Sequence, residues 1–360
     1  MKREQLIERT RLEIVRLCHS ALDTRTLRAE VLRCLRGVVP FEYAYFTTTD
    51  PATQLGTSSV LAEAPPSWCM SVFLENEFLQ TDFNKFSEMV RTRQAVGILS
   101  ESTGYDLARS PRYLEMLRPL AMGDELRAVF VTDDACWATL CLHREQAREG
   151  YSAADSAYLA QLVPHIADGL RKAVLLSSAP LAKTVDGPGV LVLAEDLSVV
   201  ATTAAAEYWL SELTEMEGTP RQMLPVTVRN VVAGLRAVES GLASADSPPK
   251  VRLRTRSGHW LVLYASRLRS AGEQRLISVI IEIAQPAEIA PLIMQAYTLT
   301  KREGEVTQCV LRGWSTQEIA GRLHISQHTV QDHLKAIFEK VDVGSRGELA
   351  ARLFTVQHQP

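Results

Sequence analysis

The sequence predicts a multidomain α+β protein, in which two domains with antiparallel sheets are followed by an all-α domain of four helices. The chain has 360 residues and is 46% hydrophobic, which is sufficient for two or three separate cores. Up to about residue 284, strand-type and helix-type segments follow one another without the regular βα repeat of a parallel sheet. Beyond residue 298, the apolar positions have helical spacing only.

The first predicted domain covers residues 1–178, with helices at both of its ends. Runs rich in aromatic residues and threonine indicate strands, and 3.6-residue periodicity indicates helices. The predicted elements are, in order, two helices divided near Asp23, strands at 41–48 and 58–62, helices at 67–79 and 83–93, a strand at 95–99, a hairpin of strands 126–132 and 136–143, and a helix at 151–176.

The middle domain is predicted at 189–284, after a linker at 179–188 that has no periodicity. A linker helix at 285–298, interrupted by Pro286 and Pro291, is expected to join it to the C-terminal domain. The predicted elements of the middle domain are strands at 189–194 and 199–203, helices at 204–213 and 226–239, and strands at 251–256, 260–268 and 275–283.

The C-terminal domain, residues 299–357, carries the clearest local signals. Three helix starts have the S/T-x-x-E spacing of a capping box, in which the hydroxyl accepts a helix N–H and the glutamate reaches back. Ser326 offers a fourth helix start, only two residues after the preceding helix, and Gly313 should end the first helix. This is the spacing of a tight helix-turn-helix. The three capping pairs are Thr300 with Glu303, Ser315 with Glu318, and Ser345 with Glu348.

The helix that begins after Ser326 is amphipathic. Val330, Leu334 and Ile337 are expected to face inward, while amides, imidazoles and a lysine face outward. Such a polar face is one that the major groove of DNA accepts. The alternative is a small helical bundle whose polar face is merely solvated. The outward residues are Gln327, His328, Gln331, Asp332 and Lys335.

This stretch resembles the LuxR/NarL-type DNA-binding domain, in register over about one sixth of the chain. The resemblance implies four helices, of which the third enters the major groove and the fourth supports dimer contacts. It implies that Gln331, Asp332 and Lys335 approach base edges, and we assign Thr329 and Lys340 to phosphate. The matching residues are Leu299, Thr300, Arg302, Glu303, Glu305, Val306, Gly313, Ser315, Glu318, Ile319, Ala320, Leu323, Ile325, Ser326, Thr329, Val330, His333, Ile337, Lys340, Val341, Val343, Arg346 and Leu349. The predicted DNA-binding set is Ser315, Thr316, Ser326, Gln327, His328, Thr329, Gln331, Asp332, His333, Lys335 and Lys340.

The chain departs from this family at the surface that would read DNA. Gln331–Asp332 replace a more basic pair, Thr316–Gln317 replace the usual Asn-Lys, and Lys301 stands where proline is common. Glutamine can read adenine, and aspartate can accept from cytosine N4. Residues 296–360 carry eight Lys/Arg against seven Asp/Glu, so non-specific affinity should be modest. Binding is therefore expected to need a dimer on paired half-sites.

The first domain resembles a GAF-type sensor domain in its element order and closing helix, and the middle domain resembles a PAS domain in its β-β-α-α-β-β-β order. The GAF resemblance implies a small-molecule pocket between sheet and helices. Each aromatic residue near it is, taken singly, more typical of an ordinary core. The candidate ligand-binding residues are Tyr43, Tyr45, Trp68, Phe73, Phe78 and Phe83.

Three arginines alternate along one predicted strand of the middle domain. Arg252, Arg254 and Arg256 would share one face of this strand. A row of arginines could meet an anion or DNA. The favoured interpretation is the solvated face of a half-buried sheet.

Other classes of function lack their sequence signals. No phosphate-binding loop, H-E-x-x-H or G-x-S-x-G motif is present, so we predict no enzyme, no catalytic residue, no metal and no cofactor. His165 or His259 could ligate haem iron, but a hydrogen-bonded structural histidine is favoured. The six cysteines form no CxxC pair and are predicted to be reduced core thiols. A charged N-terminus and the lack of a long apolar run predict a cytoplasmic protein that does not enter membranes.

The sequence therefore predicts a homodimeric, sequence-specific transcription regulator whose sensor domains control a C-terminal helix-turn-helix. The predicted partners are double-stranded DNA and a small-molecule effector, and RNA polymerase is a further candidate. Two alternatives stay open. One is an acyl-lactone-type quorum-sensing receptor that also binds DNA, and the other is a GAF/PAS protein-interaction module that does not.

Overall fold

The computed structural model describes residues 3–175, 187–213, 224–244, 249–255, 257–269 and 275–355. Two five-stranded antiparallel sheets, each with its own helices, precede a bundle of helices at the C-terminus. This confirms the predicted multidomain α+β class. Most of the predicted linker at 179–188 lies outside the described residues.

The N-terminal domain is built on a sheet with the strand order β2-β1-β5-β4-β3. Three short turns of 3-10 or π helix lie between α5 and β4. Its elements are α1 (Arg3–Cys18), α2 (Thr24–Arg36), β1 (Tyr43–Thr49), β2 (Gly56–Ala62), α3 (Trp68–Leu79), α4 (Phe86–Thr92), β3 (Val96–Ile98), α5 (Leu99–Ser102), β4 (Met122–Thr132), β5 (Ala135–Glu145) and α6 (Ala153–Leu175).

The two faces of this sheet meet different helices, because successive side chains of a strand point to opposite sides. Phe46 and Leu140 are fully buried in the core that α1, α2 and α6 form on one face. Tyr45 and Cys141 point to the other face, toward α3 and α4. The turn of the β4–β5 hairpin consists of Asp133–Asp134, and both residues have positive φ, as a two-residue hairpin loop requires.

The middle domain has a second sheet with the order β7-β6-β10-β9-β8. Its core contains Trp209 and the apolar residues of α8 and the central strands. The elements are β6 (Gly189–Leu193), β7 (Val199–Thr202), α7 (Ala204–Leu213), α8 (Val226–Glu239), β8 (Lys250–Arg254), β9 (Trp260–Leu268) and β10 (Leu276–Ile283).

The N-terminal and middle domains share a packed interface. Leu55, in the turn between β1 and β2, is 5% exposed and belongs to the apolar core of the middle domain. Gly56 donates its N–H to the Asn230 side chain at 3.2 Å, and the Thr227 hydroxyl donates to the carbonyl of Thr57. A Cβ at Gly56 would lie 3.0 Å from side-chain atoms of both Asn230 and Thr47, tighter than an ordinary contact, so glycine eases the close approach of α8.

The segment after β10 forms a continuous helix, α9 (Pro286–Ala296). The prediction that prolines interrupt it was wrong. Pro286 occupies the first helical position, where the missing N–H has no intrahelical partner to lose. Pro291 is accommodated within the helix. Ile289, Leu292 and Ile293 are buried in the cluster that also holds the core of the C-terminal domain.

Candidate nucleic-acid interface and sensor cavity

Four helices form the C-terminal domain: α10 (Lys301–Leu311), α11 (Thr316–Leu323), α12 (Gln327–Val341) and α13 (Arg346–Thr355). The capping boxes at Thr300 and Ser315 are both complete, and Ser326 accepts the N–H of Thr329 at 3.0 Å. At the start of α13, Ser345 caps as predicted, but its glutamate accepts the N–H of Gly344 instead. These caps fix where each helix begins.

Tight turns hold α11 and α12 in the helix-turn-helix arrangement. Gly313 has φ +79° after α10, and His324 ends α11 in a left-handed conformation with φ +53°. On α12, Val330 and Ile337 are fully buried and Leu334 is nearly so. This single apolar stripe packs α12 on α10 and α11, and the opposite face is left open.

The open face of α12 carries the residues predicted to read bases. Gln327, His328, Gln331, Asp332 and Lys335 are all exposed. His328 Nδ1 lies 3.8 Å from an Asp332 carboxylate oxygen, one helical turn away. The face therefore presents an amide, a carboxylate and an ammonium group side by side, and hydrogen bonds to base edges are within its chemistry.

Other members of the predicted DNA-binding set are occupied within the domain. The Thr316 hydroxyl accepts a hydrogen bond from Arg346 at 2.8 Å, and the Thr329 hydroxyl lies 2.8 Å from that of Ser326. His333 is half-buried. Ser315 and Ser326 act as helix caps, so their hydroxyls position the helix starts.

Lys340 has a structural contact that the sequence did not reveal. Its Nζ donates to Glu303 at 2.7 Å and to the carbonyl of Thr298 at 3.1 Å. Burial opposes ionisation of Glu303, but the hydrogen bond from Lys340 and the cap at Thr300 hold the pKa of its carboxyl below the ordinary value. Lys340 thus ties the end of α12 to the start of α10.

We expect Lys340→Ala to lower the stability of the C-terminal domain by about 0.5–1 kcal/mol, because a partly exposed ion pair with one additional hydrogen bond is lost. Thermal unfolding of the full chain measures this change. Lys335→Ala, on the same helix, is the matched control and should leave the transition unmoved. If Lys340→Ala and Lys335→Ala unfold at the same temperature, Lys340 has no structural role.

A cavity of about 400 Å³ lies between the N-terminal sheet and the middle domain. Its floor is the β1–β5 face of the sheet, and α3 and α4 form one wall. The opposite wall is α8 of the middle domain, through Asn230, Gly234 and Val238. Residues 53–56 of the β1–β2 turn line the cavity between these two walls. An occupant would therefore touch both domains.

Half of the aromatic candidates line this cavity. Tyr45 and Phe73 stack with ring centroids 6.2 Å apart, and Phe78 adds a third ring. Phe86, which the sequence did not suggest, also contributes to the lining.

Tyr43, Trp68 and Phe83 are absent from the lining. Tyr43 and Phe83 pack in a separate small apolar cluster with Leu99 and Met116, and Trp68 is 40% exposed at the start of α3. Thr47, two residues after Tyr45 on the same face of β1, is a lining residue that the alternation of the strand could have predicted.

The charged groups next to the cavity have partners inside the protein. Glu77 binds Arg127 at 2.7 Å, and Arg127 lies against the rings of Phe73 and Phe86. Asp82 accepts the N–H of Arg112 at 2.8 Å.

Lys85 and Glu88 also line the cavity: Lys85 Nζ donates to the carbonyl of Gln80 at 2.5 Å, and Glu88 lies 3.5 Å from Arg91. Each of these charged groups thus has a partner within the chain, and the hydroxyls and aromatic surface that remain favour an uncharged ligand.

Glu125, Cys141 and His143 bring three potential metal-ligand atoms within 4.8 Å of one another, a proximity that the sequence did not predict. Two guanidinium groups already neutralise the carboxylate of Glu125: Arg112 at 2.7 Å and Arg127 at 3.0 Å. Burial raises the pKa of the Cys141 thiol to about 12, which disfavours the thiolate that a metal requires. The cluster has the character of a structural ion network.

The three arginines that alternate along the predicted strand at 251–256 were expected on the solvated face of the sheet, and the structure contradicts this at Arg252. This side chain is 8% exposed and pairs with Asp50 of the N-terminal domain at 2.6 Å. The interpretation was wrong because the N-terminal domain covers this edge of the sheet. Arg254 is half-buried beside Trp260, and Arg256 lies outside the described residues. The anion that the row meets is a carboxylate of the same chain.

The helical domain with its exposed α12 has relatives among known regulators. Residues 297–353 match the profile of the family described as bacterial regulatory proteins, luxR family. The predicted resemblance of the C-terminal domain is thereby confirmed, and this domain belongs to the luxR family.

Similar curated proteins each match over part of this chain. The transcriptional regulatory protein ComA of Bacillus subtilis is 46% identical over 50 residues, which is 14% of this chain and 23% of ComA. DesR of the same organism is 39% identical over 70 residues, 19% of this chain and 35% of DesR. YhcZ, also of Bacillus subtilis, is 28% identical over 132 residues, 36% of this chain and 56% of YhcZ. The chain thus spans less than two thirds of the length of each.

Solved structures similar to this chain include GAF domains. The GAF domain from an Acinetobacter phosphoenolpyruvate-protein phosphotransferase is 14% identical, covers 49% of this chain and 99% of its own, and gives a TM-score of 0.35. A GAF domain/HD domain protein from Geobacter sulfurreducens is 20% identical, covers 41% of this chain and 91% of its own, and gives a TM-score of 0.31. Among the described helices, none has both the length and the apolar content that crossing a membrane requires.

Proposed function

We propose that the protein is a sequence-specific DNA-binding transcription regulator whose C-terminal helix-turn-helix is controlled by the two preceding domains. The observation that carries this proposal is the exposed polar face of α12 in a domain of the luxR family. Gln331 and Asp332 supply the amide and the carboxylate, and Lys335 follows one turn later on the same face. The protein acts in the cytoplasm as a non-enzymatic regulator.

The balance of charge supports binding as a homodimer. Eight basic residues against seven acidic ones over residues 296–360 give little general attraction to phosphate. Two copies of α12 on paired half-sites, one helical turn or a multiple apart, provide the affinity that one copy lacks. RNA polymerase is the further partner through which such a regulator would act.

The cavity supports control by a small molecule. Its size is within the range of ligand sites, and its lining combines stacked rings with hydroxyl groups. Since the neighbouring charges are paired internally, we propose an uncharged effector with an aromatic or apolar part. The effector controls DNA binding through different affinities for two arrangements of the protein.

Selection of bound DNA from a random library with the full-length protein tests DNA recognition. We expect enrichment of a two-fold symmetric site, and Gln308→Ala, which removes an exposed amide from α10, should select the same site. Failure to enrich any sequence would overturn the proposal in favour of a protein-interaction module. Native mass spectrometry of the same sample should show two copies of the chain. A retained acyl-lactone would identify a quorum-sensing receptor.

A further inference from the structure

Asp50 and Arg252 form a buried, multiply hydrogen-bonded contact between the N-terminal and middle domains. Asp50 Oδ2 accepts the backbone N–H and the Nε–H of Arg252, both at 2.9 Å, and Oδ1 accepts from Nη2 of Arg252 at 2.6 Å. The Asp50 side chain is fully buried. Such a bidentate pair fixes the orientation of the guanidinium group.

The remaining arm of Arg252 reaches a third element. Its Nη1 donates to the carbonyl of Glu288 in α9 at 3.0 Å. The Glu288 carboxylate is held in turn by Lys250 at 2.6 Å and by the Tyr264 hydroxyl at 2.5 Å, both from the middle domain. The first turn of α9 is therefore attached to the same strand, β8, that binds Asp50.

On the other side, Asp50 organises the turn that lines the cavity. Its N–H donates to the carbonyl of Leu55 at 2.9 Å, and its own carbonyl accepts the N–H of Gln54 at 2.7 Å. Gln54, Leu55 and Gly56 line the cavity. A ligand that moves this turn must move Asp50 as well, since both ends of the turn are bonded to it.

The far end of α9 leads directly into the DNA-binding domain. Arg171 of α6 donates to the carbonyl of Ala296, the last residue of α9, and α10 begins five residues later at Lys301. The open face of α12 is exposed, and none of the described residues masks it. Control is then expected to act on the placement of the domain through α9.

We propose that Arg252 is a positioning residue that transmits the state of the cavity to the DNA-binding domain. It joins the turn that lines the cavity to the first turn of α9, through the carboxylate of Asp50 on one side and the carbonyl of Glu288 on the other. The proposal rests on the proposed function for its biological meaning. Its structural content concerns only Asp50, Arg252 and α9.

Hydrogen–deuterium exchange of the full-length protein tests this link without any ligand. Asp50→Asn removes a charge that does not touch α9. We expect exchange of the α9 amides to become about tenfold faster or more, because a buried pair is broken and local opening becomes easier. Glu195→Gln, which breaks an ion pair with Arg267 on the surface of the middle domain, is the control and should leave α9 unchanged.

Filling the cavity tests the direction of transmission. Val238→Phe adds a ring from α8 and takes the place of an effector. We expect it to change α9 exchange in the wild-type background. Arg252→Lys keeps a positive charge for Asp50, but a lysine cannot bind the Asp50 carboxylate and the Glu288 carbonyl at once. In this background, Val238→Phe should leave α9 exchange unchanged. If Asp50→Asn does not fold, the comparison of Val238→Phe in the wild-type and Arg252→Lys backgrounds still tests the proposal.

Two results would overturn the inference. In one, Asp50→Asn speeds exchange in residues 50–56 but not in α9, so that Arg252 only holds two domains together. In the other, the effect of Val238→Phe persists with Arg252→Lys, so that transmission runs elsewhere. Neither readout needs DNA. Failure of the wild-type protein to bind DNA would therefore count against the proposed function alone.

Discussion

Gln331→Ala and Lys335→Ala are each expected to weaken binding to the selected operator by about 5- to 150-fold, since a specific base contact contributes about 1–3 kcal/mol. Both side chains are exposed on the open face of α12, and neither supports the core. Each variant should also accept more bases at one position of each half-site. Binding measured by fluorescence anisotropy, with operators changed one base pair at a time, gives both quantities.

Gln308→Ala is the control for these variants, because it removes the same exposed amide from α10. Its affinity and base preference should equal those of the wild type. Thr329→Ala should weaken binding to all sequences alike if its hydroxyl meets phosphate. Unchanged affinity and unchanged preference in both Gln331→Ala and Lys335→Ala would show that α12 does not read DNA.

Glu125→Gln is expected to lower the free energy of unfolding of the N-terminal domain by about 3–5 kcal/mol. Its carboxylate is fully buried and is shared between Arg112 and Arg127, with His143 at 3.1 Å. The amide that replaces it leaves these guanidinium groups without a common anion. Urea unfolding of the full chain, followed by its tryptophan fluorescence, to which the buried Trp137 contributes, measures the loss.

The same carboxylate predicts the direction of a pH effect. Burial opposes its ionisation, but Arg112 and then Arg127 outweigh this and hold the pKa of Glu125 well below the ordinary value. A lowered pKa in the folded state gives stability that is present above the unfolded pKa of about 4.3 and is lost as the pH falls below it. The stability of Glu125→Gln should therefore depend less on pH in this acidic range.

Asp134→Asn is a matched control, because it neutralises a carboxylate that pairs with Arg93 on the surface. Asparagine tolerates the positive φ of this turn, so the change should be within about 1 kcal/mol. A loss of stability in Glu125→Gln as small as this would show that the ion network contributes little.

The helix starts of the C-terminal domain could be predicted from the sequence because their signals are local. A cap such as Ser315 and its glutamate lie three residues apart, and the sequence alone places both. The prolines of α9 misled the prediction because a proline at the first helical position is compatible with a helix. Lys340 could be placed on α12, but its bond to Glu303 joins residues far apart in the chain.

The cavity could be predicted only in part, for a physical reason. Strand alternation places Tyr43 and Tyr45 on the same face of the sheet, but it does not say how far along that face a cavity extends. The sequence therefore could not predict that Tyr45 lines the cavity and Tyr43 does not. The wall formed by α8 comes from another domain. Likewise, the burial of Arg252 depends on Asp50, 202 residues earlier, and no local pattern reports such a contact.

The position of Leu55 limits how the N-terminal and middle domains can be separated or exchanged. Its side chain belongs to the N-terminal fold in sequence but completes the middle domain in space. A fragment ending after α6 would expose this leucine to water and strand the Asp50 carboxylate. Replacing the N-terminal domain by that of another regulator would remove Leu55 and leave a cavity in the core of the middle domain. The N-terminal and middle domains should therefore recombine as a single unit.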